Sequence, residues 1–156
     1  MQKNHFLAVI AIAIFTLTIA SCKKEVVLTP KDLLTTGSWK LVAETDNGVE
    51  SYSAYKACRK DDFDTYTAAG KYINDEGASK CVSTDPQTTT NDYTLSGDGK
   101  TITVKDAAFG ISLDIKILEL TATTLKTETN FLSKTISTFA KKLFFCKIDK
   151  KQLNVF

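Results

Sequence analysis

The sequence predicts an all-β domain of about eight antiparallel strands behind a short helical turn. Three observations predict it. No stretch of 10 or more residues repeats its apolar positions with the 3.6-residue period of a helix. Threonine, which suits strands better than helices, occurs 20 times from residue 22 onward. Short alternating segments are separated throughout by turns built on Gly, Asn and Asp.

Each element can be taken in order. In "TPKDLL" Thr29 can cap a helix, Pro30 suits its first position, and Asp32 stands three residues after the cap. Gly37 ends that helix after about one turn, so it serves as a plug at one end of the strand domain. "SWKLVAE" reads as a strand with Trp39 and Leu41 on one face and Lys40 and Val42 on the other. Asn47-Gly48 is a strong hairpin signal. "ESYSAYKACRK" fits either a strand or an irregular segment with a helical turn.

"DDFDTYTAAGKYINDEGASKC" reads as two strands with turns at Gly70 and Gly77, and "VSTDPQTTT" as a polar loop. "NDYTLSGDGKTITVK" is a hairpin around Gly97-Asp98-Gly99, with Ile102 and Val104 facing one way and Thr101 and Thr103 the other. "GISLDIKILEL" alternates cleanly until its phase slips at Leu118 and Leu120, which predicts a bulge or a strand end. "TTLKTETNF" and "TISTFAKKLFF" complete the set.

Residues 1–21 differ from the rest. Lys3 supplies a positive start, and "FLAVIAIAIFTLTIA" follows without a charge. That order defines a secretory signal peptide, and the run is short for a membrane-spanning helix of about 20 residues. It ends in Ile19, Ala20, Ser21 and Cys22. "IASC" resembles the lipobox of bacterial lipoproteins. The resemblance implies cleavage before Cys22, a diacylglycerol on its sulfur and an acyl chain on its new amino group. Several acyl chains hold a protein stably on a membrane, where one gives marginal binding. Lys23, rather than Asp, follows the cysteine, which by the same resemblance favours the outer membrane over inner-membrane retention. The chain then divides into a signal peptide (1–21), a lipidated tether (22–32), a barrel (33–145) and a C-terminal tail (146–156).

Composition narrows the chemistry. The formal charge is +2, and +1 without residues 1–21; such a balance argues against a nucleic-acid partner, which needs a concentrated basic face. The single histidine is His5 and the single methionine Met1. A processed chain therefore has no Ser-His-Asp or Cys-His site and no His-ligated zinc. Asp61-Asp62 is the best acid pair, but neighbours on a strand point to opposite faces. With Asp64 the pair lacks the spacing of a calcium loop, and a solvated strand start is its expected role. No catalytic residue, metal or cofactor is expected.

Beyond Cys22 the cysteines are Cys58, Cys81 and Cys146. Cys58 and Cys81 flank one coherent stretch and are paired here; closing such a loop contributes about 3 kcal/mol in the chain-entropy model. Cys146 is then left as a free thiol or as one half of an intermolecular bridge.

"LLTTGSWKLV" resembles the opening strand of lipocalins, with its Gly-x-Trp motif at Gly37, Ser38 and Trp39. "CRKDDFDTYTAAGKYINDEGASKC" followed by "DPQTTTNDYTLSGDGKTITV" is similar to the lipocalin-like lipoprotein domain common in Bacteroidota. The likeness runs from about Leu33 to Lys142. It implies a lipocalin-like β-barrel, with Trp39 packed across its closed base and Cys58 bonded to Cys81. Where the family continues into a Trp strand, this chain has Tyr93. The segment "LFFCKIDKKQLNVF" has no counterpart, and its lysines give it either a solvated face or a place at a membrane surface.

A carrier of one small hydrophobic ligand is the leading functional expectation, since an eight-stranded barrel can enclose one. Phe63, Tyr66, Tyr93, Phe109 and Phe131 are the candidate lining residues, each equally readable as core. The alternative is an envelope or surface interaction protein with a filled barrel, acting through loops 44–60 and 82–91; a monomer is expected in either case.

Overall fold

The computed structural model describes residues 27–106 and 110–142. Cys22, Phe109, Cys146, the signal segment and the tail lie outside the described residues. The elements are α1 (Pro30–Thr35), β1 (Ser38–Asp46), β2 (Val49–Glu50), a 3₁₀ turn (Tyr52–Ala54) and α2 (Ala57–Lys60). After them come β3 (Phe63–Tyr66), β4 (Lys71–Asp75), β5 (Thr88–Leu95), β6 (Thr101–Asp106), β7 (Ile111–Leu120), β8 (Thr124–Asn130) and β9 (Lys134–Lys142).

Strands β3 to β9 pair in sequence order, and β1 pairs with both β3 and β9. The result is a closed, eight-stranded antiparallel barrel, with β2 as a two-residue strand folded back antiparallel on the end of β1. Closure removes the exposed strand edges that an open sheet would carry. The seam is uneven. β1 pairs with β9 along its whole length but meets β3 only at Ser38 and Trp39. Above those two rungs the residues between β2 and β3 complete the wall.

Local chemistry explains the ends. Thr29 caps α1 and Asp32 returns a bond to the Thr29 backbone, a reciprocal capping box. The helix starts at Pro30, inside the segment 22–32 expected to be tether, and Pro30 packs against Gly99 in the β5–β6 turn. Those first helical residues therefore belong with the barrel. Asn47 and Gly48 both have positive φ, the conformation that an Asn-Gly turn supplies at low cost. The phase slip in β7 is a bulge, with a register shift between Ile117 and Glu119. A second shift falls between Leu41 and Ala43. It exchanges the faces of β1, so that Trp39, Leu41 and Glu44 all point inward.

The buried core sits at the α1 end: Leu34, Trp39, Tyr66, Tyr93, Ile102, Val104 and Leu125. Trp39 and Leu34 are wholly excluded from solvent. This is the closed base. The opposite end carries the loops 47–62, 76–87 and 131–133 and forms the mouth.

Candidate functional site

Inward-facing residues follow from the register. Every second residue of a strand faces the same side, and Trp39 anchors the inner side. Across the rungs it shares that side with Asp64 and Lys141. Continuing round the barrel, Tyr66, Tyr72, Tyr93, Ile102, Val104, Leu113, Ile115, Ile117, Leu125, Thr127, Ser137 and Phe139 alternate inward on β3 to β9.

Two layers result. At the base Tyr66 packs against Tyr72 at 5.2 Å and edge-on against Tyr93 at 5.1 Å between ring centroids. The Tyr93 hydroxyl donates to the Thr67 carbonyl. Lys141 Nζ lies 4.6 Å from the Trp39 ring centroid and donates to the Leu33 carbonyl. Its apolar surroundings hold its pKa below the usual lysine value. Tyr72, Ile115, Ile117 and Phe139 also point inward and stay only partly buried against this core.

The upper layer carries polar groups. Asp64 accepts from the Tyr72 hydroxyl at 2.8 Å and from Asn74 Nδ2 at 3.0 Å, both on Oδ1. Burial pushes the Asp64 carboxyl up, against the pull of those two donors, and pushes the Tyr72 phenol up as well. On the far wall Glu44 accepts from Ser137 at 3.0 Å and from the Tyr55 hydroxyl at 2.5 Å. That bond to Glu44, ahead of burial, raises the Tyr55 pKa to about 12. Tyr55 thus latches the segment after β2 onto β1 where β3 has left the sheet.

The mouth is stapled by a disulfide between Cys58 and Cys81, whose Cα atoms lie 5.2 Å apart. Next to it Asp61 Oδ2 accepts from the amides of Ala78 and Ser79, each at 3.0 Å. Asp62 meets Arg59 at 3.3 Å. Burial, opposed by Arg59 and reinforced by Glu76, raises the Asp62 pKa to about 6. The Oδ1 atoms of Asp61 and Asp62 are buried and have no hydrogen-bond partner.

These positions correct several expectations. Asp61 and Asp62 precede β3 rather than start it; Asp61 ties the loops 57–62 and 76–79 together and Asp62 pairs with Arg59, instead of both standing in solvent. Phe63 points outward with Lys40 over its ring at 5.7 Å, because the Trp39–Asp64 rung puts even-numbered residues of β3 inside. Phe131 sits in the β8–β9 turn, 64% exposed. Tyr66 and Tyr93 do face inward, but each is 5% exposed and serves as base packing. Tyr72, Glu44, Ile117 and Phe139 line the interior without having been singled out, and Asp64, weighed only with Asp61 and Asp62 as a calcium set, joins them. Tyr72 and Phe139 could have been found by extending their strands' alternation, whereas Glu44 depends on the bulge at Val42.

Three clefts of about 350, 470 and 200 Å³ open on the outside of the barrel. Two flank Lys31 and Leu95 at the base, and one lies over Asp114 and Phe131 on the outer wall. None is lined by Asp64, Tyr72 or Phe139. Among the described residues no group of three or more His, Cys, Asp or Glu is placed to hold a metal ion. No helix among them is long and apolar enough to cross a membrane.

The sequence model of the lipocalin-like domain matches residues 35–127, more than half of the chain. The chain belongs to the lipocalin-like domain family. No curated protein matches it. Among solved structures, a lipocalin-like protein from Bacteroides uniformis ATCC 8492 is similar, with 20% identity over 69% of this chain and 98% of that one and a TM-score of 0.47. The family match ends inside β8, so in this lipocalin-like domain β9 and the β1–β9 closure are described by the fold alone.

Proposed function

We propose that this lipocalin-like domain is the soluble part of an envelope lipoprotein, held by acyl chains on Cys22, and that it binds one small, largely apolar ligand. One observation carries the binding reading. Ile115, Ile117, Phe139 and Tyr72 point into a closed barrel yet remain only partly buried, whereas a fully packed interior buries such side chains. The buried core fills the base, so the ligand is small and is reached from the mouth. Its apolar body meets β7 and β9, and any polar end meets Asp64 or Glu44. The lipobox supports the anchor, and Lys23 after Cys22 supports an outer-membrane address.

A second reading is favoured by the outside position of all three clefts. In it the barrel is a scaffold without a small-molecule ligand, and its loops contact other envelope components.

Titration of the chain from Lys23 onward with fatty acids, retinoids and haem-like molecules tests both, with Trp39 fluorescence as the reporter. A saturable one-site change supports the carrier. An unresponsive, blue-emitting Trp39 across the panel supports the scaffold. Radiolabelled palmitate entering the native chain but not a Cys22→Ala variant tests the anchor separately.

A further inference from the structure

Charge is sorted by the barrel wall. Inward register positions hold Glu44, Asp46, Asp64 and Asp106. Lys40, Lys71, Lys105, Lys116, Lys126 and Lys134 all fall on outward positions. Acids stand on the outer face as well, Asp92 and Asp114 among them. Among the described side chains of the strands, however, Lys141 is the inward lysine. It is already engaged, by the Trp39 ring and the Leu33 carbonyl. The interior is therefore acidic on balance.

Its carboxylates are not equally available. Glu44 is met on both oxygens, Oε1 by Tyr55 and Ser51 and Oε2 by Ser137. Asp64 receives Tyr72 and Asn74 on one atom, Oδ1, and its Oδ2 accepts no bond from the described residues. The carboxylate oxygens that are both buried and unbonded lie on Asp61 and Asp62 instead, so Oδ2 of Asp64 keeps an accessible surface. Among the described residues the cation whose field reaches Asp64 is Arg59, and Asp62 holds that guanidinium at 3.3 Å. Burial outweighs Arg59 and both donors and pushes the Asp64 carboxyl up. A carboxylate so placed lacks a close counter-charge.

The rings beside it suit a cation. Tyr66 shares the inner face of β3 with Asp64. Tyr72, whose hydroxyl Asp64 binds, packs 5.2 Å from Tyr66 and stays only partly buried. Aromatic faces next to a carboxylate attract an ammonium group. The barrel already seats one on a ring, Lys141 on Trp39. A fatty acid would instead bring a second carboxylate against Asp64. We infer that the ligand is a cationic amphiphile, a small amine with an apolar body, whose protonated nitrogen pairs with Asp64. This rests on the reading that the interior takes a ligand at all, and narrows that ligand to one charge class.

The chain from Lys23 to Phe156, which includes every described residue, is titrated at neutral pH with octylamine, octanol and octanoate. The three share one body and differ in the charge of its end. Calorimetry and Trp39 emission give the affinities. Octylamine is expected to bind at one site, at least about tenfold more tightly than octanol, the lower end for a hydrogen bond to a charged group. Octanoate is expected to bind most weakly. Asp64→Asn keeps the shape and the Oδ1 acceptor; it should bring octylamine down to octanol and leave octanol unchanged. Asp85→Asn, at an exposed acid of the mouth, should change neither. Octanol or octanoate binding as tightly as octylamine overturns the charge class and leaves a ligand-binding interior. Octylamine binding undiminished by Asp64→Asn overturns it too, and traces the preference to other acids. If that variant fails to fold, the comparison on the native chain still decides. Should none of the three bind, the carrier reading falls together with this one.

Discussion

Trp39 and Leu34 are joined at the closed base: the indole Nε1 donates to the Leu34 carbonyl at 2.9 Å, and both residues are wholly buried. The last carbonyls of a helix have no partner within it, and here the motif tryptophan supplies one. Lys141 does the same for Leu33 from β9. The plug, β1 and β9 are thereby held by two side chains reaching back to one short helix.

Trp39→Phe keeps a ring in the base but removes the donor, leaving a buried carbonyl unpaired. The expected cost is about 1–3 kcal/mol, and for Trp39→Ala about 3–5 kcal/mol. Urea unfolding followed by circular dichroism measures both. A Trp39→Phe variant as stable as the parent would show that the bond contributes nothing.

The disulfide spans 23 residues and holds the mouth loops together. Replacing Cys58 and Cys81 by Ser lowers stability by about 3 kcal/mol if constraint of the unfolded chain dominates. Peptide mapping without reductant recovers Cys58 joined to Cys81. A bridge from Cys146 to either would contradict this arrangement.

Gly77 has a φ of +67°, and a Cβ there would lie 2.3 Å from the Asp61 carbonyl oxygen. Gly77→Ala is expected to cost at least about 2 kcal/mol, since the obstacle is backbone and the conformation is strained as well. Gly48 is the control: its φ is +84°, but nothing lies within 4 Å of a new Cβ. Gly48→Ala therefore bears only the conformational cost, about 1 kcal/mol. Equal effects on thermal unfolding would refute the close approach.

Asp62 titrates near 6 in the folded chain, above the roughly 3.9 of an unfolded aspartate. The folded state therefore holds its proton over a range where the unfolded state has lost it. Its contribution to stability is complete below about pH 4 and is lost as pH rises through 6. Asp62→Asn should gain on the order of 1 kcal/mol at pH 7 after allowance for solvent screening, and nothing at pH 4. Denaturation midpoints measured across that range decide it; a gain that does not depend on pH would exclude titration as the cause.

The antiparallel strands, the capping box at Thr29, the Asn47-Gly48 turn, the phase slip in β7 and the Cys58–Cys81 pair were all legible from residues 27–142 read alone. Each depends on neighbours in sequence, or on a spacing that local geometry constrains. The inner face of Ile102 and Val104 was legible for the same reason, because threonine occupies every alternate position. "FDTY" was not: Phe63 and Thr65 make as plausible an inner face as Asp64 and Tyr66. A slip of one residue exchanges the two faces of a strand, and only the rung between Trp39 and Asp64 decides which face is inside. The same holds for Glu44, turned inward by a bulge that no residue of β1 announces. Sequence thus determined the antiparallel strands and their plug, while closure into a barrel came from the pairing of β1 with β9. The carboxylates of the upper interior were decided by pairing between distant strands, since register is a property of two segments and cannot be read from either one.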